Sequence, residues 1–160
     1  MKINNFTCIV LVIFLCISCS KKTLQKSVIN EKSLDLQVLE AYKEGVDSLE
    51  SGDVLYAAKK FNEAEVLFPQ SVWAPKSALM AAYSYYAQDY YGDAIAELER
   101  FKKVYPKHKN IDYANYLLAI CYYEQIVDEK KDLKSIKNAK ETFQFVLKEF
   151  PNTEYALDSE

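Results

Sequence analysis

A three-residue skeleton recurs three times in this chain and restricts its fold more than any other feature. Ala94, Leu98 and Pro106 stand at relative positions 0, +4 and +12; Ala57, Phe61 and Pro69 repeat that spacing, and so do Ala139, Phe143 and Pro151. In every copy the residue before the proline is aromatic: Phe68, Tyr105 and Phe150. A small residue, an apolar residue one turn later and an aromatic–Pro stop describe one helix used three times. Proline ends it because the residue before proline is pushed out of the α region. A second small-residue series, Gly45, Ala82 and Ala119, runs ahead of these helices at intervals of 37 residues. Self-similarity at such a period is the signature of a solenoid built from repeated helix pairs. With only 3 Gly and 4 Pro, few positions can form tight turns, which argues against an all-β sandwich.

Each pair can be followed residue by residue. The first helix carries Leu36, Val38, Leu39, Tyr42, Val46 and Leu49 at helical spacing, and Ser51-Gly52-Asp53 breaks it. Gly45 lies inside that helix, where glycine costs about 1 kcal/mol relative to alanine, so a packing reason is expected. The second helix places Ala57, Phe61, Ala64 and Leu67 on one face. The second repeat begins near Trp73, turns at Gln88-Asp89, and brings Ala94, Leu98 and Phe101 inward. Its additional residues relative to a 34-residue repeat are expected in the loop PQSVWA after Pro69. The third repeat begins near Asp112; a surplus of eight residues lies between Gln125 and Ile136 and reads as a charged, solvated extension of the turn. After Pro151, Tyr155-Ala156 echoes Trp73-Ala74, so a fourth repeat begins without being completed. On this reading the domain is C-terminally truncated, and Tyr155 to Glu160 is expected to fray because short isolated helices are marginal.

The N-terminus carries different information. Lys2 precedes an apolar run from Phe6 to Ile17, shorter than the roughly 20 residues of a transmembrane helix and typical of a cleaved signal peptide. The run ends in Cys16-Ile17-Ser18-Cys19, which resembles the bacterial lipobox. That resemblance implies cleavage after Ser18, a diacylglyceryl thioether and an N-acyl chain on Cys19, and, with Ser20 following, export to the outer membrane. Two or more acyl chains anchor a protein stably. The expected organisation is therefore a signal peptide over 1–18, a lipidated N-terminus and flexible linker over 19–34, and a repeat domain over 35–160.

Catalytic chemistry is not evident. Formal net charge is -3, without the basic excess that nucleic-acid binding usually requires. The one histidine, His108, stands between Lys107 and Lys109 in a loop and reads as solvated. Cys121 reads as a packed thiol, since a nucleophile needs a nearby base. Three of the four cysteines lie at the N-terminus, leaving Cys121 no disulfide partner in the body. No phosphate loop or calcium loop is present. We expect no enzyme activity, no cofactor and no metal.

The helix pairs resemble the tetratricopeptide (TPR) repeat: Gly45 at the close crossing, Ala57-x3-Phe61-x2-Ala64 on the second helix, and Pro69 closing it. The implied fold is an all-α, TPR-like solenoid of three antiparallel helix pairs plus the start of a fourth. In TPR proteins the first helix of each pair lines a concave groove. Carried over by position, the groove residues are Tyr42, Leu79, Tyr83, Tyr86, Tyr113, Tyr116 and Tyr123, with Leu39, Val46 and Ile120 as further candidates. Val46 and Ile120 fit inter-repeat core equally well. The lipobox, the stretches FPQSVWAPKSALMAAYSYY, AIAELERFKKVYP, IDYANYLLAICYYEQI and ETFQFVLKEFPNTEYA, and the 37-residue period together resemble the BamD (ComL) family, lipoproteins of the outer-membrane β-barrel assembly machinery. The resemblance implies binding of unfolded outer-membrane β-barrel proteins and association with BamA and other Bam subunits at the periplasmic face of the outer membrane. The resemblance also implies that the family's later repeats contact BamA, and on the truncated reading those repeats are expected to be missing here. An alternative reading keeps the anchor and fold but has the repeats scaffold peptidoglycan synthesis or cell division. Mass spectrometry of the mature protein should find acyl chains on Cys19 and none on Cys19→Ala, with globomycin blocking processing; an unmodified N-terminus elsewhere would remove the anchor.

Overall fold

The computed structural model describes residues 33–127 and 133–160. Cys19, the signal peptide, nearly all of the linker and the centre of the charged insertion lie outside the described residues. Seven α-helices follow in order among those described: α1 (Leu34–Glu50), α2 (Val54–Leu67), α3 (Trp73–Tyr86), α4 (Tyr91–Val104), α5 (Ile111–Glu124), α6 (Leu133–Glu149) and α7 (Glu154–Leu157), with a 3-10 turn over Gln125–Val127. Each packs on its neighbour in sequence, so α1/α2, α3/α4 and α5/α6 form successive antiparallel pairs. This is the all-α, TPR-like solenoid the spacing predicts. No described helix is long and apolar enough to cross a membrane.

Local chemistry sets the helix ends. Ser33 and Asp53 cap α1 and α2, each side-chain oxygen accepting from a backbone N–H three residues on. The aromatic residues before the prolines end α2 and α4 in non-helical conformation, Phe68 with φ -147° and Tyr105 with φ -123°. The turns within the first two pairs are matched. Gly52 and Asp89, 37 residues apart, both take positive φ, 86° and 62°. Glycine adopts this region freely, and aspartate is among the few side chains that tolerate it. Gln88 Nε2 donates to the Gly52 carbonyl at 2.9 Å, tying one turn to the next.

The small residues lie where the repeat pattern requires them. Ala57, Ala94 and Ala139 are all buried, as are Gly45, Ala82 and Ala119. A Cβ on Gly45 would stand 2.8 Å from Phe61 Cε1, closer than carbon atoms pack. The fully buried Phe61 ring therefore occupies the space a side chain at 45 would need. One repeat later the opposing residue is the smaller Leu98, and Ala82 fits beside it in the same core cluster. Phe61, Leu98, Phe101 and Val146 are fully buried, while Phe143 is half-buried.

A buried ionic clasp joins the first two repeats. Glu65 on α2, only 7% exposed, accepts both Arg100 Nη1 (2.8 Å) and Nη2 (2.6 Å) from α4. Its Oε1 also accepts from the Tyr105 hydroxyl at 2.8 Å, and Arg100 Nε reaches Glu97 at 2.8 Å. Hydrogen bonding to Glu65 strengthens the hold of Arg100 on its proton, and burial followed by the same carboxylate raises the Tyr105 phenol.

Three expectations need correction. Trp73 and Ala74 belong to α3, whose cap is Val72, so the inter-repeat loop is shorter than PQSVWA. His108 is half-buried, its ring edge-on to Phe101 at 5.6 Å, because the 105–110 turn folds it back on α4. The final segment is docked: Thr153 caps α7, Ala156 is buried, and Tyr155 packs on Tyr113 and Tyr116 at 5.4 and 5.3 Å. Those aromatic contacts supply what a one-turn helix lacks in isolation.

Two stability measurements check this packing. Gly45→Ala should lower unfolding free energy by about 1–2 kcal/mol despite its better helix propensity, because overpacking costs more than the gain. In a Phe61→Leu background the same change should be neutral or stabilising. Arg100→Ala should cost about 2–4 kcal/mol by leaving Glu65 buried without its cation, somewhat less than a fully buried pair because Arg100 is partly exposed.

Candidate functional site

The first helices of the three pairs, α1, α3 and α5, together form a concave surface. Its centre is a hollow of about 320 Å³ lined by Tyr42 from α1, by Lys76, Leu79, Met80 and Tyr83 from α3, and by Asn110 and Tyr113 at the start of α5. Helical periodicity explains the set on α3: positions 76, 79, 80 and 83 are three or four apart and so share one face. The hollow continues into a second, of about 610 Å³, through the shared residues Lys76, Leu79 and Asn110. This second part is walled on one side by Val72 and the first turn of α3, with Trp73 and Pro75, and on the other by Lys107, His108 and Lys109 of the loop before α5.

Aromatic contacts brace the inner part. Tyr42 meets Trp73 with ring centroids 5.0 Å apart and Phe61 edge-on at 5.3 Å. The Lys76 ammonium lies 4.8 Å from the Trp73 ring centre and 5.8 Å from that of Tyr42. Such placement is favourable, since the ring faces are electronegative. Burial raises the phenols of Tyr42 and Tyr113 above their ordinary value, so both stay neutral in physiological conditions and remain available as hydrogen-bond donors. The arrangement offers flat apolar faces, phenolic hydroxyls and lysine cations, which suits a polypeptide segment.

Of the seven groove residues expected from sequence, four meet here: Tyr42, Leu79, Tyr83 and Tyr113. Leu79 is 6% exposed, so it belongs to the core and only its edge floors the hollow. Tyr86 leans on the α3–α5 core and on Tyr91, 6.2 Å away. Tyr116 lies between Tyr155 and Phe143. Tyr123 is 58% exposed at the far end of α5 and does not line the hollow. Among the further candidates, Leu39 is 43% exposed outside the hollow, and Val46 packs in the Ala57–Phe61–Ala81 core. Sequence reasoning passed over Trp73, Lys76, Met80, Asn110 and the Lys107–Lys109 loop. A signal for Lys76 was present, since it stands one turn from Trp73 and Leu79 in α3.

The groups considered for chemistry have other roles. Cys121 is fully buried in the α3–α5 core, and burial pushes its thiol up to about 12, so the thiolate is not formed near neutrality. Burial, assisted by the neighbouring Lys109 charge, lowers the pKa of His108 and favours a neutral imidazole against Phe101.

Comparisons with known proteins agree on a family. Residues 34–160 match the family model YfiO, described as outer membrane lipoprotein. Among similar curated proteins, the outer membrane protein assembly factor BamD of Caulobacter vibrioides is 40% identical over 118 residues, 74% of this chain and 39% of that protein. BamD of Neisseria gonorrhoeae is 33% identical over 135 residues, covering 78% of this chain and 51% of that protein. BamD of Rickettsia prowazekii is 35% identical over 118 residues, with 74% and 47% covered. The matches thus span between 39% and 51% of the length of these relatives. In fold the chain is similar to the N-terminal domain of stress-induced protein-1 (STI-1) from C. elegans, with a TM-score of 0.64 at 15% identity, covering 80% of this chain and 95% of that one. A family match across nearly the whole described region, carried by the same repeats that build the hollow, means that this chain belongs to the BamD (YfiO) family of outer membrane lipoproteins.

Proposed function

We propose that this chain works as an assembly factor of the Bam machinery, holding segments of unfolded outer-membrane β-barrel proteins in the hollow between its first helices. The observation that carries this reading is the convergence of Tyr42, Leu79, Tyr83 and Tyr113 from three repeats on one concave site. Barrel strands alternate apolar and polar residues and carry aromatic girdles. A hollow with aromatic walls and neutral phenols can take an aromatic side chain by stacking while hydrogen-bonding the backbone beside it. Burying one such side chain of roughly 150–250 Å² gives an upper figure of about 4–6 kcal/mol before association costs. That is enough for a weak and reversible grip, which suits a factor that must pass its substrate on.

On this reading the lipid on Cys19 tethers the repeats to the periplasmic face of the outer membrane, and BamA and other Bam subunits are the recipients. The contribution of the protein is binding and orientation, with no bond made or broken. The family membership and the names of the relatives support this assignment.

A photoreactive amino acid at position 83 should crosslink to the C-terminal strand of a newly translocated barrel protein. At position 116, which Tyr155 covers, the yield should be lower. Crosslinks confined to position 66, between α2 and α4, would overturn the assignment of the hollow.

A further inference from the structure

The outward face of α1 changes character along its length. Val38, Ala41 and Gly45 turn inward and are buried. On the opposite side stand Leu36 and Leu39, three residues apart and each 43% exposed, followed four residues later by exposed Lys43. Leu34, 51% exposed, adds a third leucine at the helix start. The same side then closes with exposed Asp47 and Glu50. Its first two turns are therefore apolar and its last turn acidic. Neither Leu36 nor Leu39 lines the hollow, and α1 opens the solenoid, so a neighbouring pair stands on one side of it only.

The chain that leads into this face comes from the cysteine expected to carry lipid. Thirteen residues, 20–32, separate Cys19 from the Ser33 cap. A chain of that length reaches at most about 50 Å when fully extended. It includes Lys21, Lys22, Lys26 and Lys32 against a single acidic residue, Glu31, although the whole protein has a net charge of -3. Basic segments beside an anchor are drawn to anionic headgroups. Reach and charge thus both point to a bilayer as what covers the leucines.

We propose that the first half of α1 lies on the surface of the phospholipid bilayer that holds the acyl chains of Cys19. Leu34, Leu36 and Leu39 enter the boundary between headgroups and acyl chains, and Lys43 reaches the phosphates. This rests on the lipid-anchor reading above and adds to it an orientation. Three partly exposed leucines bind a free bilayer weakly. The anchor keeps them within tether length of it, which makes the contact intramolecular and raises the effective concentration of lipid. Asp47 and Glu50 oppose a flat position against an anionic surface, so the helix tilts, with its first turn toward the bilayer and the 51–53 turn away from it. Docking of this kind sets the angle of the solenoid to the membrane, where a tether alone leaves it free to swing.

The test uses the acylated protein in vesicles of phosphatidylethanolamine and phosphatidylglycerol, with an environment-sensitive fluorophore on one introduced cysteine. Cys121 is fully buried and Cys19 is blocked by its lipid, so neither competes for the label. Lipids with a spin label near the headgroup should quench a fluorophore at position 36 or 39 about threefold more than one at position 55, a similarly exposed leucine at the other end of the pair. With the label at 36, Leu34→Ser and Leu39→Ser together should remove most of that excess and leave the melting temperature unchanged. Equal quenching at 36, 39 and 55 in acylated protein would overturn the inference and leave the anchor standing. A mature chain whose mass shows no acyl chains would overturn the anchor and the inference with it. Photocrosslinks in cells from position 36 to another protein, with none to lipid, would assign the face to a protein partner and also overturn the inference.

Discussion

The close approach of α1 and α2 at Gly45 is the contact on which the architecture rests. With no side chain at 45, the Phe61 ring seats against the α1 backbone and contacts Tyr42 edge-on. The distance between two packed helices depends on the side chains at their crossing, and small residues bring them closest. When each pair is pressed together in this way, the second helix turns its buried face toward the next pair. Ala64, Phe101 and Val146, at one register in α2, α4 and α6, are all fully buried. Buried residues thus recur at this register in every pair, and no single pair could bury its apolar surface alone.

That packing determines the dimensions of the hollow. Tyr42, Tyr83 and Tyr113 come from three different repeats, so their separation is set by how the pairs stack and not by any local turn. The Glu65–Arg100–Tyr105 clasp works to the same end, linking α2 to α4 and its following residue with directional bonds that an apolar contact lacks. Buried ion pairs add little net stability, but a broken one is costly, so this one restricts the ways in which two repeats can slide. The Gln88 bond to the Gly52 carbonyl does the same at the opposite edge.

The tyrosines divide by their surroundings into those that line the hollow and those that pack elsewhere. Tyr113 and Tyr116 both contact Tyr155, yet Tyr113 also lines the hollow while Tyr116 packs edge-on to Phe143. Tyr86 sits against the core beside Tyr91, whose own phenol is pushed up to about 12 chiefly by its hydrogen bond to Asp89. An amphipathic ring serves either setting, since its body is apolar and its hydroxyl can reach water or a partner. This is why so many of them occur along first helices that are partly core and partly groove.

Much of this was legible from residue spacing alone. The 37-residue interval, the buried Ala57, Ala94 and Ala139, and the aromatic–Pro stops are local and periodic, so sequence determined the helices, their pairing and the identity of the residues at each crossing. Family membership followed from the same pattern, extended along the chain. The hollow was only half legible. Tyr42, Leu79, Tyr83 and Tyr113 could be named because the resemblance to TPR proteins assigns their first-helix positions to the groove. The Lys107–His108–Lys109 loop could not be assigned to one site with Trp73 and Lys76 of α3, because stacking between repeats brings it to them. Sequence likewise could not show that Tyr155 would anchor a one-turn helix or that Tyr116 would be covered by it. Periodicity reports which face of a helix turns inward; only the tertiary structure decides what that face meets, because the inter-repeat angle is a sum of many small packing contacts that no single spacing records.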